Sequence, residues 1–139
     1  NREATSEAFV DGFFRSGDLG LISEDGLVTV SDRLKDIIIA GGYNIYPADV
    51  ENAILGHPAV RQVAVIGVPD EYRGETAKAI VSLRGEERLD LDELKKFLSG
   101  RLSPMEIPTI LSIVDEIPRN ENMKISRLDL RELERLAPR

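Results

Sequence analysis

The chain has 139 residues, of which 42% are hydrophobic and 31% charged, enough apolar material for one compact domain with a small appendage. It holds no Cys and a single His, His57, which excludes disulfides, thiol catalysis and Cys/His zinc sites together. A net charge of −7 without a basic stripe argues against nucleic acid as a partner, because Lys and Arg contacts to phosphate dominate such affinity.

The apolar runs, Val63–Val68 among them, are too short to span a bilayer. No charged segment followed by an apolar stretch opens the chain, so no signal peptide is expected, and a cytoplasmic home is the default. A start at Asn1 rather than Met suggests a fragment. The charge is uneven: residues 1–34 carry seven acids against three bases, whereas residues 115–139 are balanced.

In chain order, residues 4–13 mix Ala with acidic residues and predict a short helix. Two β-prone runs, Gly20–Ser23 and Leu27–Val30, flank Glu24-Asp25-Gly26 and predict a hairpin over 19–31. Ile37-Ile38-Ile39 is a compact strand stopped by Gly41-Gly42. Pro47 opens a helix with Asp49 and Glu51 in its first turn, ended by Gly56 and Pro58. Gln62–Val68 and Thr76–Leu83 predict two strands. Asp90 caps a helix expected to run through Leu102, with Leu91, Leu94, Leu98 and Leu102 as its buried stripe. Thr109–Val114 predicts a third main strand. Ser126 caps a last helix whose inner face is expected to be Ile125, Leu128, Leu133 and Leu136.

From Asp36 onward this order predicts an α+β domain: a small mixed sheet of about three main strands flanked by helices, with a separate β-hairpin ahead of it. Such a fold does not specify an activity.

Four segments carry candidate chemistry. Phe14-Arg15-Ser16-Gly17-Asp18-Leu19 places a carboxylate after a Gly turn, where it could accept both hydroxyls of a ribose or serve as an ordinary turn Asp. Ser31-Asp32-Arg33-Leu34-Lys35-Asp36 is a charged connector. Ile39-Ala40-Gly41-Gly42-Tyr43-Asn44-Ile45-Tyr46-Pro47 pairs two glycines that let backbone take positive φ or approach a ligand, or simply turn a strand into a helix. It lacks the spacing of a Walker loop or a dinucleotide fingerprint. Pro118-Arg119-Asn120-Glu121-Asn122-Met123-Lys124-Ile125 is a polar loop with Lys124 near a helix start, where the helix dipole disfavours a cation unless an anion meets it.

Taken together and in this order, the four segments resemble the closing motifs of the adenylate-forming superfamily. Its members include acyl-CoA synthetases, 4-coumarate ligase and other aryl-CoA ligases, firefly luciferase and peptide-synthetase adenylation domains. The first segment is similar to Y-R-T-G-D-L, the second and third to G-R-x-K-D-x-I-x-x-G-G-x-N-I-Y-P-x-E-V-E, and the fourth to P-R-T-x-x-G-K-I. The wording Asn44-Ile45-Tyr46-Pro47 resembles fatty-acyl and aryl CoA ligases more than peptide-synthetase domains.

The resemblance implies the C-terminal lid of an enzyme that activates a carboxylic acid with ATP to an acyl-adenylate and passes the acyl group to CoA. Residues 1–34 would end a large N-terminal catalytic domain missing from this chain, and 35–139 would be the mobile lid, hinged at Lys35. Asp18 and Arg33 would contact the nucleotide, Lys124 would serve adenylation, and Gly41, Gly42 and Tyr43 would line the CoA passage. ATP, Mg2+ and CoA would act in the full-length enzyme. No metal site is expected here, nor tight cofactor binding, nor activity of the fragment alone, which could self-associate through the 19–31 hairpin. The competing expectation is a free-standing α+β ligand-binding or regulatory module. Three departures stand out: Ser31-Asp32 replaces Gly before Arg33, Ser16 replaces Thr, and Met123 replaces the Gly before Lys124, where its side chain resists positive φ.

Overall fold

A computed structural model describes residues 2–136. The chain divides into two compact units, Asn1–Lys35 and Asp36–Arg139.

The first unit begins with α1 (Arg2–Ala8). The helix expected over 4–13 stops there, because Phe9 and Val10 (β1) pair with Phe13 and Phe14 (β2) around Asp11-Gly12. Asp11 (φ 52°) and Gly12 (φ 83°) both take positive φ, the Asp-Gly hairpin geometry. The Phe9 and Phe14 rings meet at 5.5 Å. The second hairpin joins β3 (Asp18–Ile22) to β4 (Val28–Arg33), one residue longer at its start and two at its end than the expected 19–31. Its turn is closed by the Ser23 hydroxyl, which donates to the Asp25 carboxylate and accepts from the Leu27 N–H. The bulge at Leu19/Gly20 needs glycine: a Cβ on Gly20 would lie 2.5 Å from the Thr29 carbonyl oxygen.

This unit buries little. Phe13 is 79% exposed, Leu21 73% and Ile22 75%, and Phe14, Leu27, Val28 and Val30 are exposed with them. So much apolar surface on a few dozen residues, on both sides of the β3–β4 hairpin, is the kind that marks an interaction site.

The second unit is a five-stranded mixed sheet between helices, as the α+β reading expects. Its main strands are β7 (Val60–Asp70), β8 (Gly74–Leu83) and β9 (Ile110–Ile113), with β7 antiparallel and β9 parallel to β8. A short hairpin of β5 (Ile38–Ala40) and β6 (Tyr43–Ile45) joins the start of β8 through Ala40 opposite Gly74. β6 was not expected: Gly41-Gly42 turns one strand into another rather than into the helix.

The two long strands are buried on both faces through most of their length, which is why Val63–Val68 of β7 reads as an unbroken apolar run. Val63 and Val65 point into one core with Val50, Ile54, Leu94 and Leu98. Ala64, Ile66 and Val68 point into the other with Ile80, Ile117 and Leu130. The first core is closed by α2 (Pro47–Leu55) and α3 (Leu91–Leu98). Pro47 sits in the first turn of α2, where its missing N–H costs nothing, and Gly56 caps the end in a right-handed conformation. Asp90 accepts the Glu93 N–H at 2.8 Å and starts α3. That helix ends at Leu98 rather than Leu102, because Gly100 takes φ 80° and turns the chain away.

The second core is closed by α4 (Arg127–Leu136), and here the expected inner face is wrong. Leu130 is buried and Ile125 packs beside it, but Leu128, Leu133 and Leu136 are exposed. The helix docks instead through ion pairs. Arg127 and Arg131 reach Asp36 and Glu51, and Glu134 meets the buried Lys78 of β8 at 2.6 Å. With Leu130, these residues fall at the i, i+3, i+4, i+7 spacing of one helix face. Among the described residues no helix is long and apolar enough to cross a membrane.

Candidate functional site

In the first unit, the β3–β4 register places Asp18 opposite Arg33. Gly17 takes φ 75° and the Ser16 hydroxyl accepts the Asp18 N–H at 3.1 Å, so the turn aims the carboxylate before any partner arrives. Arg33 Nε approaches Asp18 Oδ1 at 2.7 Å. Both side chains are partly exposed, so the pair is worth at most about 1 kcal/mol and is open to exchange for a ligand. Behind Arg33, the buried Asp32 carboxylate accepts the Arg33 N–H at 2.8 Å. Asp18 also lines an open depression of about 640 Å³ with Phe14, Arg15, Ser16 and Leu34.

Lys35 lies in the 3-10 turn Leu34–Asp36, its side chain exposed. This is the seam between the two units.

In the second unit, Gly41 (φ 57°) and Gly42 (φ 84°) form the two-residue turn of the β5–β6 hairpin. The Gly41 N–H donates to the Arg73 carbonyl at 2.8 Å, which ties the turn to the β7–β8 loop. That loop is itself shaped by Asp70, whose carboxylate accepts the N–H groups of Arg73 and Tyr72, both at 2.9 Å. These two bonds hold the Asp70 carboxyl below its ordinary range. A Cβ on Gly42 would meet nothing within 4 Å, and Tyr43 next to it is 62% exposed. The turn is thus an open, uncrowded edge.

Lys124 sits on a separate, tightly built loop. Arg119 and Ile125 bridge across it. The Asn120 side-chain oxygen accepts the N–H groups of Asn122 and Lys124, both at 3.0 Å. The Asn120 N–H donates to the Lys124 carbonyl at 2.8 Å, and the Arg119 guanidinium donates to the Met123 carbonyl at 2.8 Å. Both backbone polar groups of Lys124 are therefore pinned while its side chain is exposed. Such an arrangement fixes the point at which the lysine side chain leaves the loop, with the ammonium carried into solvent on a flexible stem.

Met123 overturns one expectation. It takes φ 60° in spite of its side chain, so the loop keeps the backbone form that glycine would give. A left-handed non-glycine residue costs about 1–2 kcal/mol, and here the Asn120 and Arg119 hydrogen bonds hold it there. Met123 is 70% exposed, so little burial is lost on truncation. Met123→Gly is expected to raise unfolding stability by up to about 1 kcal/mol, the relieved strain being partly offset by glycine's freedom in the unfolded chain. Urea unfolding measures this, and a loss of stability would contradict the strain.

The sequence profile of the AMP-binding enzyme C-terminal domain matches residues 49–124, more than half of the chain, and its last matched residue is Lys124. This chain belongs to that family. It is 45% identical over 132 residues to a long-chain-fatty-acid–CoA ligase of Bacillus subtilis, covering 95% of this chain and 24% of the relative. It is 46% identical over 129 residues to a feruloyl-CoA synthase of an Amycolatopsis species, covering 93% of this chain and 26% of that one. Among solved structures, ATP-bound MatB from Rhodopseudomonas palustris superposes with a TM-score of 0.90 at 38% identity, covering 95% of this chain and 26% of that protein. The chain thus spans about a quarter of the length of the relatives it matches.

Residues that sequence reasoning missed are Asp36, Glu51, Arg127 and Arg131, which form one partly buried charged cluster in the second unit. The signal was present: two arginines four residues apart on the last helix, and an acid each at the end of the 3-10 turn and in the middle of α2. Among the described residues no group of three or more His, Asp or Glu side chains is placed to hold a metal ion.

Proposed function

We propose that this chain is the mobile lid of an AMP-forming acyl-CoA ligase, together with the last strip of that enzyme's large domain. Residues 1–34 belong to the large domain, 35–139 to the lid, and Lys35 is the hinge between them. The observation that carries this reading is the Lys124 loop, which fixes the backbone of one lysine and exposes its ammonium at the end of the family match.

The reaction runs in two steps. A carboxylate, fatty or aryl, attacks the α-phosphorus of ATP and expels pyrophosphate. The CoA thiol then attacks the acyl carbon and AMP leaves. In the first step two anions meet, and the Lys124 ammonium offsets their repulsion and orients them. Asp18 accepts the ribose hydroxyls and Arg33, released from Asp18, turns to ribose or phosphate. Magnesium bound with ATP would neutralise phosphate charge, with ligands expected in the large domain of the parent. In the second step Gly41, Gly42 and Tyr43 border the pantetheine passage; the open edge at Gly42 suits a slender chain.

The exposed apolar surface of the first unit supports this reading over a free-standing module, since it is the kind of surface that packs against a large neighbouring body. In the isolated chain the same surface is available for self-association. The full-length protein, given a fatty or aryl acid, ATP and CoA, is expected to release AMP and pyrophosphate with the acyl-CoA, while the 139-residue chain alone does not turn over. Release of ADP and phosphate, or no acyl-CoA from any acid tested, would refute the proposal.

A further inference from the structure

The partly buried charged cluster beneath α4 has a geometry that bears on how Lys124 is aimed. Arg127 meets Glu51 with two prongs, Nε to Oε1 at 3.3 Å and Nη2 to Oε2 at 2.7 Å, and its third nitrogen lies 3.5 Å from Asp36 Oδ2. Glu51 in turn accepts the Val65 N–H at 2.8 Å, which anchors the pair to the central sheet. Arg131 holds Asp36 twice: Nη1 lies 3.3 Å from Oδ1, and Nη2 lies 3.3 Å from the Asp36 main-chain carbonyl. The Asp36 side chain is 11% exposed and the Glu51 side chain 18%, so these contacts are made largely away from water.

Two placements in the chain give the cluster its meaning. Asp36 directly follows Lys35, and Arg127 follows Lys124 by three residues. The residue leaving the hinge and the helix that begins just past the lysine are therefore gripped together. Partly buried guanidinium–carboxylate contacts add little net stability because both charges lose water, but their two-pronged form fixes orientation. The apolar contact of α4 is meagre by comparison, Leu130 being its one buried leucine.

We infer that Arg131 and Arg127, by clamping Asp36 and Glu51, are positioning residues for Lys124: they make the hinge exit and the lysine loop move as one piece. This rests on the ligase reading above and adds to it which side chains set the lysine's aim. Without the clamp α4 can shift on the sheet, and a displacement of about 1 Å at a reacting centre costs on the order of 10²-fold in rate.

The test compares half-reactions in the full-length protein. Arg131→Met removes the grip on Asp36 yet leaves Asp36 facing Arg127 at 3.5 Å. Adenylation, followed by ATP–pyrophosphate exchange, is expected to fall about 10- to 100-fold in kcat, with KM for ATP and acid within about twofold. Thioester formation from supplied acyl-adenylate is expected to stay within about threefold. Arg131→Lys keeps the charge but not the two-pronged contact, so its adenylation rate should fall between parent and Met variant. Should Arg131→Met fail to fold, Arg131→Lys carries the same comparison. Equal loss in both half-reactions, tracking the folded fraction, would reduce the cluster to a structural support and overturn the inference. So would parent rates in both. Lys124→Ala in parallel separates the two claims: if it shows no preference between half-reactions, the ligase reading falls and the clamp with it.

Discussion

Replacing Lys124 by Ala in the full-length protein is expected to slow acyl-adenylate formation roughly 10²–10³-fold, as removal of one preorganised charge contact commonly does. Thioester formation from supplied acyl-adenylate should stay within about threefold of the parent. The size follows from electrostatics: two unit charges 4 Å apart interact by about 4 kcal/mol at the effective dielectric of a protein surface, and tenfold in rate is about 1.4 kcal/mol. The selectivity follows from chemistry, because only adenylation brings a carboxylate against a phosphate. The loop bonds that pin the Lys124 backbone do not involve its side chain, so the substitution should leave the fold intact. ATP–pyrophosphate exchange and single-turnover CoA transfer measure the two steps separately. Equal losses in both would contradict the division of labour.

Leu98→Ala is expected to lower the unfolding free energy of the chain by about 2–5 kcal/mol, a large part of the ~5–15 kcal/mol that holds a typical domain folded. Leu98 is fully buried at the end of α3, in the core shared with Val50, Ile54, Val65 and Leu94. Around it the backbone is fixed, by Asp90 capping the helix start and Gly100 turning the chain beyond its end, so the space left cannot readily close. Urea unfolding followed by far-ultraviolet circular dichroism measures the change. A loss below about 1 kcal/mol would mean that the α3 layer is loosely packed.

How much the sequence disclosed depends on which force orders each element. Elements placed by apolar burial were legible: the Leu94–Leu98 stripe, the β7 and β8 runs and the third strand β9 lie where the pattern puts them. The capped start of α3 was legible too, since Asp90 does locally what its type suggests. The short hairpins were not. Asp11-Gly12 and Gly41-Gly42 each join strands of two or three residues, too brief for a period-two pattern to register. The last helix failed for a deeper reason. Its Leu128, Leu133 and Leu136 have the composition of an inner face, but Arg127, Arg131 and Glu134 have partners on the sheet side, and a partner far away in sequence is invisible to helical periodicity. At the candidate site, Asp18, Arg33 and Lys124 were singled out through their motifs. The pairing of Asp18 with Arg33 depends on the hairpin register, bulge included, and the positive φ of Met123 depends on hydrogen bonds that hold a strained residue in place.

A lid that swings on Lys35 to carry Lys124 toward a nucleotide is the claim on which all the assigned roles depend. Spin labels at Glu121, on the tip of the Lys124 loop, and on the large domain of the full-length protein would measure that swing as a distance by pulsed electron spin resonance. The account predicts two separate distances, one favoured with ATP and the acid and the other with acyl-adenylate and CoA. A single distance, unchanged by either pair of ligands, would contradict it.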